Sequence, residues 1–245
     1  MVARSAALKT ATVEEGRNAR RRRTTRARLL KAAYEVMSTV GVDAAKLKDI
    51  TDHADIGFGT IYNYFQSRDE LAAQVLDCVI SDLGRRNVVA TGPLRERDFA
   101  LVMPVSTRLV LREAMSAPMW QWWALRPDLL ATRMCKGFSP FATADMREAM
   151  ARGIIHLDGD TVETAWTLAV WTMVGGIHDV VVGDAPRESE AFVAEFIMRS
   201  WGVSPDIARL ICHTELPKSP PPPRIDWAFE LKSSPPPAEP GATAS

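Results

Sequence analysis

The chain has 245 residues, room for one large domain or for a small and a medium one. Its 30 basic and 30 acidic side chains cancel, and 47% hydrophobic with 24% charged residues is ordinary for a globular protein, so bulk composition excludes a disordered or fibrous chain. Three distant cysteines, Cys78, Cys135 and Cys212, form no C-x-x-C pair, which argues against a disulfide framework or a zinc site and for reduced thiols in the cytoplasm.

The N-terminus carries Arg4, Lys9 and Glu14-Glu15 without an apolar core, unlike a secretory signal. The longest apolar run, Leu168 to Val182, is broken by Gly175-Gly176 and His178-Asp179 and falls short of the roughly 20 residues that span a bilayer. A cytoplasmic protein without membrane association is expected. Charge is unevenly spread. Between Met1 and Lys31, Arg4, Lys9, Arg17, Arg20 to Arg23, Arg26, Arg28 and Lys31 face only Glu14 and Glu15, which marks this end as a polyanion contact.

In chain order, residues 1–23 lack apolar periodicity and read as a flexible basic arm, with Arg22 and Arg23 as candidate DNA contacts. From Thr24 the pattern is helical: Leu29, Ala32, Ala33, Val36 and Val40 recur at three- and four-residue spacing until Gly41. A second short helix, about Ala45 to His53, buries Leu47, Ile50 and Ala54, and a third runs through Tyr64 after a break at Asp55-Ile56-Gly57. Ser67, followed by Asp69 and Glu70, opens a fourth helix to about residue 84, with an apolar face of Leu71, Val75, Leu76, Val79 and Ile80. Residues 85–216 are helical in pattern and punctuated by prolines, and residues 217–245 read as a Pro-rich disordered tail whose removal leaves folding unchanged. The chain is therefore all-α: an N-terminal three-helix helix-turn-helix domain over 24–71 and a larger helical domain over 85–216.

Two short helices crossed by a tight turn are what a helix-turn-helix requires, with the second free to enter the major groove. Ile50, Ala54 and Ile61 can form the small core that fixes the crossing. Gly57, Phe58, Thr60, Asn63 and Tyr64 are left on the outer side, where the glycines beside Phe58 let backbone approach a duplex. Tyr62 and Phe65 read as core, and His53 as a partly exposed helix residue. The stretch Gly41 to Leu71, G-V-D-A-A-K-L-K-D-I-T-D-H-A-D-I-G-F-G-T-I-Y-N-Y-F-Q-S-R-D-E-L, resembles the DNA-binding signature of the TetR family without a gap. Gly41, Ile50, Ala54, Gly59, Thr60, Tyr62, Phe65, Ser67 and Leu71 carry the match, with Arg28, Ala32 and Ala33 before it.

The resemblance implies that Thr60, Asn63 and Tyr64 contact bases and phosphates, that Lys46 stands where a residue meets a phosphate, and that Arg68, at the basic position that opens the fourth helix, is a further phosphate contact. Lys48 adds a phosphate contact from the same helix. Three residues depart from the pattern. Ala45 stands where a hydroxyl cap is usual, leaving Asp43 as the nearby cap; Asp55 replaces a turn glycine, though Asp tolerates the left-handed conformation; Gly57 replaces a serine.

Beyond the head, Met115, Met119, Trp120, Trp122 and Trp123 cluster, with Trp166 further on. Such residues make adaptable apolar surfaces, and Trp120, Trp122, Trp123 and Trp166 are expected to wall a ligand pocket to which Arg112 adds polarity. Leu168, Trp171, Gly175, His178 and Val182 share one helical face. With the amphipathic segment Glu188–Trp201 they resemble the two-helix surface through which TetR-type proteins form homodimers, as reading a palindromic double-stranded operator requires.

The expected function is a DNA-binding transcriptional regulator, a repressor released by an unidentified small apolar or aromatic effector. An alternative is a DNA-binding regulator that lacks a small ligand and acts through a protein partner. An enzyme is the third reading, but no G-x-S-x-G, H-E-x-x-H or phosphate-loop motif occurs, and His53, His156, His178 and His213 are scattered. No catalytic residue, metal site or cofactor is expected.

Overall fold

The computed structural model describes residues 2–115, 118–159, 161–217 and 223–230, with side chains from Gly16 onward. The described residues form helices and no strand. The α-helices are α1 (Val2–Val40), α2 (Leu47–His53), α3 (Arg68–Arg97), α4 (Val102–Ala114), α5 (Pro118–Ala124), α6 (Pro127–Ala151), α7 (Val162–Val182), α8 (Glu190–Ser200) and α9 (Pro205–Cys212). Short 3-10 helices cover Phe58–Asn63, Phe99–Leu101 and Arg187–Ser189.

The head is built from α1, α2, the Phe58–Asn63 turn and the start of α3. Gly41 ends α1 at φ +81°, and its amide donates to the Met37 carbonyl at 2.9 Å. Asp55 takes φ +52° in the turn after α2, the left-handed position expected of it. Ser67 caps α3 by accepting from the Glu70 amide at 3.0 Å, and the Glu70 carboxylate accepts from the Gln66 amide at 2.7 Å. Leu29, Leu30, Ala33, Met37, Val42, Ile50, Ile61, Phe65 and Leu71 bury together. Ile50, Ala54 and Ile61 thus form the crossing core, while Val40 of the expected apolar row is half exposed and Met37 takes its place.

Three stretches differ from expectation. Residues 16–23 are not a separate arm but continue α1 as helix. The fourth helix does not end near residue 84 but runs through Pro93 to Arg97. Gly84, at the expected end of that helix, receives a ring: a Cβ there would lie 2.6 Å from Phe141 Cε2 of α6. Within the expected disordered tail, residues 223–230 lie against α1 and α3, with Ile225, Trp227 and Phe229 on the core. The remainder of the tail, 218–222 and 231–245, lies outside the described residues.

The body packs α3, α4, α6 and α7 around a contiguous core that α8 and α9 extend. Helix α7, at 21 residues and a mean hydropathy of 1.3, is long and apolar enough to cross a membrane by length and composition, contrary to the shorter run read from the sequence. Its apolar residues divide between a buried face (Trp166, Ala169, Val170, Met173, Val174, Ile177) and an exposed one.

At the α3–α6 contact, Gly137 meets Ile80 so closely that a Cβ would lie 2.4 Å from Ile80 Cγ2. Alanine in a helix gains about 0.5–1 kcal/mol over glycine. Overpacking against a fully buried, stiff β-branched chain costs about 1–3 kcal/mol. Gly137→Ala is therefore expected to lower stability by about 1 kcal/mol in urea unfolding at unchanged slope. Unchanged or raised stability would show that Ile80 gives way freely.

Candidate nucleic-acid interface and effector cavity

The helix-turn-helix presents α2 and the Phe58–Asn63 turn side by side. The second element is a 3-10 turn whose only buried residue is Ile61. Gly57, Phe58, Gly59 and Asn63 are exposed, with Thr60 and Tyr64 half-buried beside them. Tyr62, read from the sequence as core, is instead exposed and meets Phe58 edge-to-face at 5.9 Å. So short a helix has one inward position, and Ile61 takes it. Phe65 is buried, as expected.

The basic end of α1 flanks this element. Arg17, Arg20, Arg21 and Arg28 line a cleft with Thr60, and Arg21 and Arg22 line a second with Asn63 and Tyr64. Arg22 donates to the Asn63 carbonyl at 3.4 Å, and its guanidinium lies 5.8 Å from the Tyr64 ring. Arg23 is exposed on the same helix but lines neither cleft. Lys46 holds the N-cap position of α2 with no side-chain cap bond, so the first amides of α2 lack that acceptor. Lys48 pairs with Asp52 at 2.7 Å in the open; that bond raises the ammonium above its ordinary pKa. His53 is exposed and bonded to Glu35 at 2.7 Å.

Arg68 is placed otherwise than expected. Its guanidinium donates to the Asp43 carbonyl at 2.6 Å and to the Asp43 carboxylate at 3.1 Å. Asp43 therefore does not cap α2; the same Oδ1 also accepts from the Trp122 indole at 3.1 Å. Arg126 stacks on the other side of that indole at 3.7 Å. Arg68 is thus held between head and body instead of standing free toward a phosphate.

A cavity of about 50 Å3 opens between α3, α4, α6 and α7. Met103, Val110, Phe138, Phe141, Trp166 and Met173 give it apolar walls. Arg95 and Asp145 form its polar end through two bonds of 2.6 and 2.8 Å, which raise the Arg95 pKa. Asn87 donates to the Ser106 carbonyl at 3.2 Å, leaving its buried Oδ1 without a hydrogen-bond partner, and buried Arg95 Nε has none either. Such unpaired groups cost about 1–3 kcal/mol each unless something fills them.

Of the expected pocket residues only Trp166 lines this cavity, its indole donating to the Cys135 carbonyl at 3.1 Å. Trp120, Trp122 and Trp123 are buried in α5, where Trp120 and Trp123 meet edge-to-face at 5.0 Å and the helix wedges against α1. Arg112 is turned to Glu190 at 2.8 Å. Trp-rich composition signalled a core, and the cavity was missed because its walls come from four helices. The nearest local cue was Phe138-Ser139-Pro140-Phe141, ending about one turn before Asp145.

On the outer side, Leu168, Trp171, Gly175 and Val182 of α7 are exposed, with His178 half-buried among them. Phe192 and Phe196 of α8, which the sequence had not singled out individually, stand exposed as well. Both elements of the expected two-helix surface therefore carry bare apolar side chains. No group of three or more His, Cys, Asp or Glu side chains able to hold a metal occurs among the described residues.

Residues 29–75 match the sequence pattern of the bacterial regulatory proteins of the tetR family. The fold is similar to that of RolR in complex with its ligand resorcinol, with a TM-score of 0.73 and 26% identity over 82% of this chain and 98% of RolR. RolR without ligand gives 0.71 and 25% over 79% and 99%. A protein from Mesorhizobium loti described as a TetR-family transcriptional regulator shares the fold at a TM-score of 0.52 and 15% identity, over 77% of this chain and 95% of that one. No curated protein sequence matches. The signature of the tetR family thus occupies the N-terminal helices of this chain, and the helical fold behind it is similar to that of RolR along nearly the whole of RolR's length.

Proposed function

We propose that the chain is a homodimeric repressor that binds a palindromic operator and is released by a small hydroxylated aromatic effector in the α3–α4–α6–α7 cavity. The observation that carries the effector reading is the unpaired Asn87 Oδ1 in a largely apolar cavity that the Arg95–Asp145 pair also lines. A hydroxyl both donates and accepts, so such a group can donate to Asn87 Oδ1 while the ring takes the aromatic walls. That RolR holds resorcinol in the same fold supports this class. We take the cavity to bind and not to turn over its ligand, because its charged pair is already spent internally.

On the DNA side, Thr60, Asn63 and Tyr64 read base edges, with Gly57 and Phe58 against the backbone. Arg22, Arg23, Lys46, Lys48 and the α2 amides hold phosphates. Arg68 acts through Asp43, positioning the head. The exposed α7–α8 face joins two copies so that two heads meet half-sites about 34 Å apart. Effector binding between α3 and α4 moves α3, the helix that leads into the head, and this alters the head separation.

Selection from random duplexes tests the reading. Each of Arg22→Ala and Lys46→Ala is expected to lower the slope of log affinity against log salt by about 0.9 while leaving preference intact. Asn63→Ala is expected to blur one base position by about 1–3 kcal/mol. Enrichment of no motif would sink the DNA reading.

For the effector, resorcinol serves as the probe in calorimetry and in release of the selected duplex. Asn87→Leu, which removes the unpaired acceptor at similar volume, is expected to weaken probe binding at least about tenfold, or about 1.4 kcal/mol, with operator affinity kept. Trp120→Phe should leave it unchanged. Equal probe affinity in Asn87→Leu and the parent would place the ligand elsewhere. For assembly, Trp171→Glu or Phe196→Glu puts a charge into the proposed face and is expected to give monomers by sedimentation, with tight operator binding lost; dimers unaffected by either change would move the interface.

A further inference from the structure

Residues 223–230, R-I-D-W-A-F-E after Pro223, alternate in a way that a disordered tail does not. Ile225, Trp227 and Phe229 turn inward, and Arg224, Asp226, Ala228 and Glu230 turn out. A turn holds the shape: the Phe229 amide donates to the Asp226 carbonyl at 3.1 Å and the Ala228 amide to its carboxylate at 3.0 Å.

The segment touches both sides of the joint between head and body. On α1, Trp227 packs on Tyr34 with ring centroids 5.1 Å apart, and Arg26 donates to the Phe229 carbonyl at 3.3 Å and lies 3.8 Å from the Glu230 carboxylate. On α3, the Arg224 amide donates to the Asp82 carboxylate at 3.2 Å, and Arg85 reaches the Arg224 carbonyl at 3.5 Å. The Cys78 thiol points at the Phe229 carbonyl at 3.8 Å. Arg26 closes the bridge, since it also donates to Gln74 of α3 at 2.6 Å. Asp82 and Arg85 bracket Gly84 on α3, where the cavity wall begins.

We propose that residues 223–230 are an intramolecular strap that fixes the angle between α1 of the reading head and α3 of the body. Two helices joined through one packed face can rock about it; a third segment bonded to both removes that freedom. The strap favours whichever head angle it fits and holds the ensemble there. The reading rests on contacts within the free chain and needs neither the operator nor the effector proposed above.

Pulsed electron–electron distance measurement tests it on the full chain. Spin labels go on Val40→Cys of α1 and Val89→Cys of α3, both exposed in the parent, in a Cys135→Ser background. An excess of unlabelled chain keeps every measured distance within one protomer. The strapped chain is expected to give one narrow distance distribution. Trp227→Ala, and separately a chain ended at Pro217, should at least double its width or shift its centre. Trp227→Phe, which keeps the stack on Tyr34, should restore the narrow form. Unchanged distributions in both disrupted chains would overturn the proposal. So would loss of helicity in both by circular dichroism, because the segment would then be core and not a tie.

Discussion

Asp43 sits in the loop after α1 and accepts from two directions. Arg68, the first residue of α3, holds its carbonyl and carboxylate, and the Trp122 indole of α5 holds the same carboxylate oxygen. The loop is largely exposed, so each bond alone contributes little. Together they tie the loop after α1 to the first turn of α3 within the head and to α5 of the body. The knot is one of the ties that orient α1, and the 30-residue α3 runs from Arg68 to the cavity wall at Asn87. A long helix is stiff, so a displacement at one end arrives at the other.

The body is assembled around buried ion pairs as well as apolar side chains. Glu190 of α8 receives Arg108 and Arg112 of α4, Asp77 of α3 receives Arg133 of α6, and Asp82 receives Arg86 within α3. Burial raises the Asp77 pKa despite its arginine and lowers that of Arg108 despite Glu190. Desolvation thus outweighs attraction at both sites, which is why such pairs orient helices more than they stabilise them. Burial also pushes the Cys78 and Cys212 thiols up to about 12, so both stay protonated and unreactive at neutral pH.

What was legible in the sequence was whatever local periodicity and short motifs encode. The apolar spacing of α1, the Ser67 cap, the left-handed Asp55 and the outward Thr60 and Asn63 all follow from neighbours within a few residues. What was hidden depends on partners far along the chain. Nothing near Gly84 in the chain shows that Phe141 lies beside it, and Asp43 looks like a cap until Arg68 and Trp122 reach it. The tryptophans of α5 advertise apolarity equally well for a cavity or a wedge, and only the packing of α5 on α1 decides for the wedge. Ile225, Trp227 and Phe229 carried a period-two pattern, but the prolines around them masked it.

The bare aromatic face of α7 and α8 has a further consequence for the cell that makes the chain. If two copies pair over this face as proposed, then below the dissociation constant the amount of dimer follows the square of the protomer concentration, so halving synthesis quarters the paired species. Trp171, Phe192 and Phe196, left open to water, also make the lone protomer the form most exposed to quality-control proteases and to misassociation. A fall in dosage would then be sharpened and not buffered, because under the proposed pairing the scarce protomer is cleared while the abundant one is covered by its own copy.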